Sequence, residues 1–273
     1  MTLNKELPDP RIFFYVITLF PEFIEKYFEF GVLGRGHSEG YFRVKAINLR
    51  EFGVGRSREV DDYPFGGGGG MILKPEPIAA AIRSIDGWNQ GDSVILVTSA
   101  AGRQFDQSFA HELLNYNRVI IVSGRYEGID ERIIEIFKAK EVSIGPYTLS
   151  SGDIPALAVI DATARLIEGV VGNYNTVVDD SHETELLGFP HYTRPVEFEG
   201  VKIPEILRSG NHKFITLWRK AKSLLKTWNN KPNFTPSFEC KKLIKQILST
   251  KEVCYYLTES EIKILKKMLN ENK

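Results

Sequence analysis

Five short apolar runs, at 12–19, 42–48, 94–98, 119–123 and 141–144, alternate with segments of helical period at 21–30, 77–85, 107–115 and 131–138. Apolar runs of this length bounded by turn residues read as strands, and strands that alternate with helices are joined by crossovers and lie parallel. The chain is therefore expected to build an α/β domain on a largely parallel sheet. Pro21 and Pro77 fall in the opening turns of two helices, where a missing N–H costs little. A long helix is read at 154–170, with Asp161 and Arg165 four residues apart on one face and able to pair there.

Polar residues without clear period follow at 172–185, read as a linker or mobile loop. Beyond Pro204 the pattern turns helical, with amphipathic segments near 212–228, 237–248 and 259–269 joined by an Asn- and Pro-containing turn at 229–236. The expected organisation is a domain over 1–171, a linker over 172–187 and a helical domain over 188–273. With 42% hydrophobic and 26% charged residues, the chain has enough apolar surface to pack a core. The net charge of zero conceals an asymmetry. From Gly188 onward stand 17 of the 35 Lys+Arg and only 8 of the 35 Asp+Glu, a net of +9 that leaves −9 on residues 1–187. A basic module joined to an acidic one points to a phosphate-bearing partner, although a solvated basic helical surface gives the same count.

Cys240 and Cys254 have no CxxC spacing and no His-rich neighbourhood, so neither a zinc site nor a disulfide framework is indicated. The apolar run at 12–20 follows Glu6, Pro8, Asp9 and Pro10 and lacks a small-residue cleavage site, unlike a signal peptide. No stretch reaches the roughly 18 apolar residues of a membrane span. A cytoplasmic protein with no membrane association is expected.

In open parallel sheets ligands collect beyond the carboxyl ends of the strands. Three loops qualify: Thr98-Ser-Ala-Ala-Gly102, Ser123-Gly-Arg-Tyr-Glu-Gly-Ile-Asp130 and Ile144-Gly-Pro-Tyr-Thr-Leu-Ser-Ser-Gly-Asp153. Each alone reads as a turn; three together suggest a pocket in which backbone amides approach a cofactor. The run Gly66 to Gly70 is not followed by Lys-Ser or Lys-Thr, and Gly31-Val-Leu-Gly-Arg-Gly36 follows a helix and lacks the dinucleotide spacing. A flexible lid over a substrate suits such runs better than a phosphate loop.

Taken in order, Val60-Asp-Asp-Tyr-Pro-Phe-Gly-Gly-Gly, Gly124-Arg-Tyr-Glu-Gly-Ile-Asp-Glu-Arg132, Pro190-His-Tyr-Thr-Arg-Pro195 and Ser209-Gly-Asn-His212 closely resemble the bacterial tRNA (guanine-N1)-methyltransferases over roughly 17–228. The resemblance implies a SPOUT-type domain with a deep trefoil knot, an exception to the rule that chains avoid threading, followed by a small all-helical domain. It also implies an obligate homodimer with the active site at the dimer interface. The implied methyl donor is S-adenosylmethionine, and the product N1-methylguanosine at position 37, in the anticodon stem-loop of tRNA. A divalent ion, Mg2+, is implied without any assigned ligands.

Carried over by motif, Gly124, Tyr126 and Glu127, with Ile144, Gly145, Pro146, Tyr147, Thr148, Leu149 and Gly152, would line the cofactor site, joined by Thr98, Ser99 and Gly102. Asp180 corresponds to the catalytic aspartate, with Asp179 as a neighbouring candidate, Arg165 to the arginine beside the guanine, and Asp61 to an acidic residue near the target base. His191, Arg194, Arg208, Asn211, His212, Lys213 and Arg219, with Tyr192, form a basic and aromatic set for tRNA. The residue types suit the chemistry. Guanine N1 carries a proton that a carboxylate can accept, and a guanidinium can stabilise the charge that then develops on O6.

The chain departs from the family pattern in its cofactor loops. Ala100 and Ala101 stand in place of Pro-Gln, Pro146 in place of an acidic residue, and Ser151 and Asp153 in place of Gly and Glu. Pro146 lacks an N–H, so a contact there would use its carbonyl. A methyltransferase for another RNA, or an idle tRNA-binding protein that kept the fold, are the alternatives, and the presence of Asp180 and Arg165 speaks against the second.

Overall fold

A computed structural model describes residues 10–172 and 185–271. The chain divides into two compact units, 1–174 and 175–273.

The first unit contains β1 (Ile12–Thr18), α1 (Pro21–Tyr27), α2 (Gly31–Ser38), β2 (Phe42–Asn48), β3 (Asp61–Asp62) and β4 (Ile72–Leu73). It continues through α3 (Pro75–Arg83), β5 (Ser93–Gln104), α4 (Gln107–Leu113), β6 (Arg118–Val122), α5 (Arg132–Phe137), β7 (Lys140–Ser143) and α6 (Asp153–Ala164). Five strands form one sheet in the order β2-β1-β6-β5-β7, and every pairing is parallel. The short strands β3 and β4 pair antiparallel as a separate ladder.

The sheet is covered on both faces, which explains why its central strands β1, β6 and β5 read as near-continuous apolar runs, while the edge strands β2 and β7 carry Arg43, Lys45, Lys140 and Glu141. In β6, Val119 and Ile121 enter one core with Phe14, Ile24 of α1, Phe109 of α4 and Ile160 of α6. Ile120 and Val122, pointing the other way, enter a second core with Ile17, Ile78 and Ile82 of α3 and Ile133 of α5. The period of two along a strand thus feeds two helix layers.

Three expectations need correction. The long helix at 154–170 stops at Ala164. Beyond it Leu166 N bonds Thr163 O and Ile167 N bonds Ala164 O, tighter turns that lead to Gly169 at φ +94°, a conformation that ends a right-handed helix. The stretch 98–102 is not a loop after a strand but an irregularity within β5, where both Thr98 and Arg103 oppose Val142. The glycines at 31–36 are no lid: they belong to α2, where Gly34 and Gly36 are buried and a Cβ on Gly36 would press within 3.0 Å of Val170. The run Gly66 to Gly70 is an exposed loop in which Gly66, Gly67, Gly68 and Gly70 take positive φ.

In the second unit a hairpin of β8 (Glu197–Phe198) and β9 (Val201–Lys202) precedes α7 (His212–Asn230), α8 (Phe238–Ser249), α9 (Lys251–Cys254) and α10 (Glu259–Asn270). Trp218, Leu224, Ile244, Ile247, Leu265 and Met268 form its core. Asn211 caps α7 by accepting from Phe214 N at 3.2 Å, and Thr258 with Glu261 makes a capping box at α10. Among the described residues no helix is long and apolar enough to cross a membrane.

Candidate active site

At the carboxyl ends of β5, β6 and β7 lies a cavity of about 430 Å³. Its wall includes Thr98, Ser99, Gly124, Tyr126, Glu127, Ile144, Gly145, Tyr147, Thr148, Leu149 and Gly152, residues drawn from all three segments singled out in the sequence. Gly102 and Pro146 are not among the lining residues. Gly102 lies against the backbone of β7, where a Cβ would sit 2.5 Å from Val142 N, and Pro146 is exposed.

The glycines are there because backbone meets backbone. Gly152 N donates to Gly124 O at 2.7 Å, and Gly124 N donates to the Thr98 hydroxyl at 2.9 Å. A Cβ on Gly152 would overlap Thr98 Oγ1 and lie 2.7 Å from Gly124 N; one on Gly124 would come within 2.8 Å of Thr98 O. The three segments are therefore stitched into one rim by hydrogen bonds that admit no side chain.

The middle segment is held from outside as well. Leu73 N bonds Gly128 O and Glu127 N bonds Met71 O, so the β3–β4 ladder supports the loop, and a Cβ on Gly70 would strike the Glu127 side chain. Tyr126 takes φ 56°, a left-handed conformation that costs a non-glycine residue energy and that the surrounding bonds must hold. Burial and a hydrogen bond to Asp61 push the Tyr126 hydroxyl above the usual tyrosine range, which places Asp61 beside the cavity rim.

Sequence reasoning did not assign Arg125, Glu131 or Ser151, which also line the cavity. Arg125 stood inside a quoted motif, but only the fold shows its guanidinium 4.3 Å from the Phe20 ring. Arg165, the C-cap of α6, lines a different cavity of about 460 Å³ with Tyr27, Phe30, Val32 and Asp161. There Tyr27 donates to Asp161 at 2.5 Å, and that bond, with burial, pushes the phenol up to about 12. Asp180 and Asp179 lie outside the described residues.

In the second unit His191, Arg194, Arg208, Asn211, His212, Lys213 and Arg219 are all exposed. The Arg219 guanidinium lies 4.8 Å from the Phe189 ring, which packs 4.6 Å from the His191 ring, while Asn211 spends its carbonyl on the α7 cap.

A parallel sheet with a cavity beyond its strand ends is the arrangement of an α/β enzyme, in which such crevices are where small ligands collect. The family is narrower. A family model described as tRNA (Guanine-1)-methyltransferase TrmD matches residues 12–237. A tRNA (guanine-N(1)-)-methyltransferase of Persephonella marina is 45% identical over 237 residues, covering 86% of this chain and 92% of its own length. Proteins of the same name from Dictyoglomus turgidum and Staphylococcus epidermidis are 42% and 41% identical, over 80% and 86% of this chain and 87% and 95% of their own lengths. The chain belongs to the tRNA (guanine-1)-methyltransferase family.

Proposed function

We infer that the protein transfers a methyl group from S-adenosylmethionine to N1 of guanosine at position 37 of tRNA, beside the anticodon. Family membership fixes the reaction class, and the observation that supports the cofactor's place is the cavity beyond β5, β6 and β7, with its close-packed rim of Gly124, Gly152 and Thr98. When bound, the cofactor supplies an electrophilic methyl on a sulfonium. The chain's own residues bind, orient and move a proton. The backbone of 124–127 and 144–152 holds the cofactor, and holding reactants at attack distance contributes about 7 to 11 kcal/mol in favourable systems. Asp180 accepts the N1 proton, Arg165 stabilises the charge on guanine O6, and Asp61 faces the target base. Thr98 and Ser99 bound the cofactor from β5.

Arg165 and the cofactor cavity belong to different pockets of one chain. A homodimer that sets one chain's Arg165 against the other's cavity resolves that separation, and the exposed Tyr27, Phe30 and Val32 beside Arg165 supply apolar surface for it. The loops round the cofactor then form the SPOUT trefoil knot. The exposed basic residues of the second unit take the anticodon stem-loop. Mg2+ fits the family, but among the described residues no group of three or more His, Cys, Asp or Glu is placed to hold a metal ion.

The test is incubation with radiolabelled S-adenosylmethionine and two unmodified tRNA transcripts, one with guanosine at position 37 and one changed there. Label confined to the first is the expected result. Label on both, or label on neither despite measurable cofactor binding, would overturn the target assignment in favour of another RNA or an idle binding protein.

A further inference from the structure

Asp153 is a carboxylate that the proposed reaction does not use, yet it is 2% exposed and directly follows Ser151 and Gly152 of the cavity wall. Burying a charge is costly unless it is paired and hydrogen-bonded, so its surroundings show what it is for. Oδ1 accepts from the Thr18 hydroxyl at 2.6 Å and the Ser123 hydroxyl at 2.7 Å. Oδ2 accepts from the Ser151 hydroxyl at 2.9 Å, while Ser151 Oγ in turn accepts from Asp153 N at 3.1 Å. The remaining side faces the Arg125 guanidinium, with Nη2 3.9 Å from Oδ2. Arg125 is pinned over the Phe20 ring, and among the described residues its buried Nε has no hydrogen-bond partner.

Of these hydroxyl partners Ser151 lines the cavity, and the other two stand at or just past the ends of neighbouring strands. Thr18 closes β1, Ser123 follows β6 and immediately precedes Gly124, and Ser151 immediately precedes Gly152. One carboxylate thereby sets the separation of the two glycine segments whose mutual 2.7 Å bond forms the cavity rim. A core built only for stability would gain as much from an apolar residue at this depth. Three convergent hydroxyls and a guanidinium serve geometry instead, because a loop displaced by about 1 Å can cost a hundredfold in rate.

We propose that Asp153 is a positioning residue for the methyl-donor cofactor: it fixes the Gly124 and Gly152 loops through Thr18, Ser123 and Ser151, with Arg125 as its counter-ion. The proposal rests on the reading of this cavity as the cofactor site. Asp153→Asn keeps the shape but replaces an acceptor with a donor towards Ser151 or Arg125. In the full-length protein, calorimetric titration with S-adenosylmethionine should show Kd raised at least about tenfold, the scale of a charge-assisted hydrogen bond. The KM for tRNA should stay near wild type even though the ligand-free unfolding midpoint falls with the lost acceptor, and kcat at saturating cofactor should fall much less than kcat/KM for the cofactor. Wild-type cofactor affinity in the folded variant overturns the proposal; so does a rise in tRNA KM that matches a drop in midpoint, which is the signature of general destabilisation. If Asp153→Asn does not fold, Ser123→Ala and Thr18→Val each delete one tether, and unchanged affinity in both overturns it equally. A wild-type protein that fails to bind S-adenosylmethionine removes the cavity assignment itself, which separates that failure from this one.

Discussion

Gly152 packs its backbone where a methyl group would overlap the Thr98 hydroxyl, so the smallest possible addition is the sharpest probe of the rim. Gly152→Ala is expected to lose cofactor binding and about 1–3 kcal/mol of stability, the usual cost of overpacking, read by calorimetry and thermal unfolding. Asp180→Asn and Arg165→Ala test the transfer step. Each should lower turnover by a factor of about a hundred or more, as removal of a positioned acid–base or charge-stabilising group does, with cofactor Kd unchanged. Normal turnover in either variant would end that assignment. Tyr27 adds a pH test. Its folded pKa of about 12 lies above the ordinary 10.0, so the stability it contributes is present below pH 10 and lost as pH rises through 12. The unfolding-midpoint difference between wild type and Tyr27→Phe should shrink across that window. The glycine-rich segments that meet at the cavity were legible in the sequence because glycine marks close backbone approach. Asp153 was not, because Thr18 and Ser123 lie 135 and 30 residues away and only the sheet brings them to it.

Among the elements, the central strands β1, β6 and β5 could be read because both faces of the sheet are covered, leaving each a nearly continuous apolar run, whereas charged residues interrupt the edge strands β2 and β7. The two-residue ladders β3–β4 and β8–β9 could not, since two residues show no period. The end of α6 was misplaced for a related reason: Leu166, Ile167 and Val170 are buried in tight turns and continue an apolar pattern that the backbone has already left. Helix α7 offers a direct check on its start. Asn211→Ala should cost about 1 kcal/mol, the usual value of an N-cap, in thermal unfolding of the helical unit. Cys240, at the opening of α8, is buried and donates to Glu185, and its thiol is pushed up to about 12. Alkylation at pH 8 followed by mass spectrometry should leave it unmodified in native protein and label it after unfolding.

For the molecule as a whole, the zero net charge divides into an acidic portion and a basic one, and all seven residues expected to contact tRNA in the second unit are exposed. tRNA affinity should therefore fall steeply as salt rises from 50 to about 200 mM, while cofactor affinity stays nearly level, because displaced counterions belong to phosphate contacts. A flat response in filter binding would remove the electrostatic argument.

The order β2-β1-β6-β5-β7 also has a bearing on synthesis. Strand β1 emerges from the ribosome early and finds β2 soon afterwards, but its other neighbour pairs Phe13 with Arg118 and must wait for it. At ordinary translation speeds of about 5–20 residues per second, that apolar edge stays open for roughly 5 to 20 s. An uncovered strand edge invites pairing with other chains, so the interval before β6 appears is the one in which the nascent sheet is most exposed to mispairing.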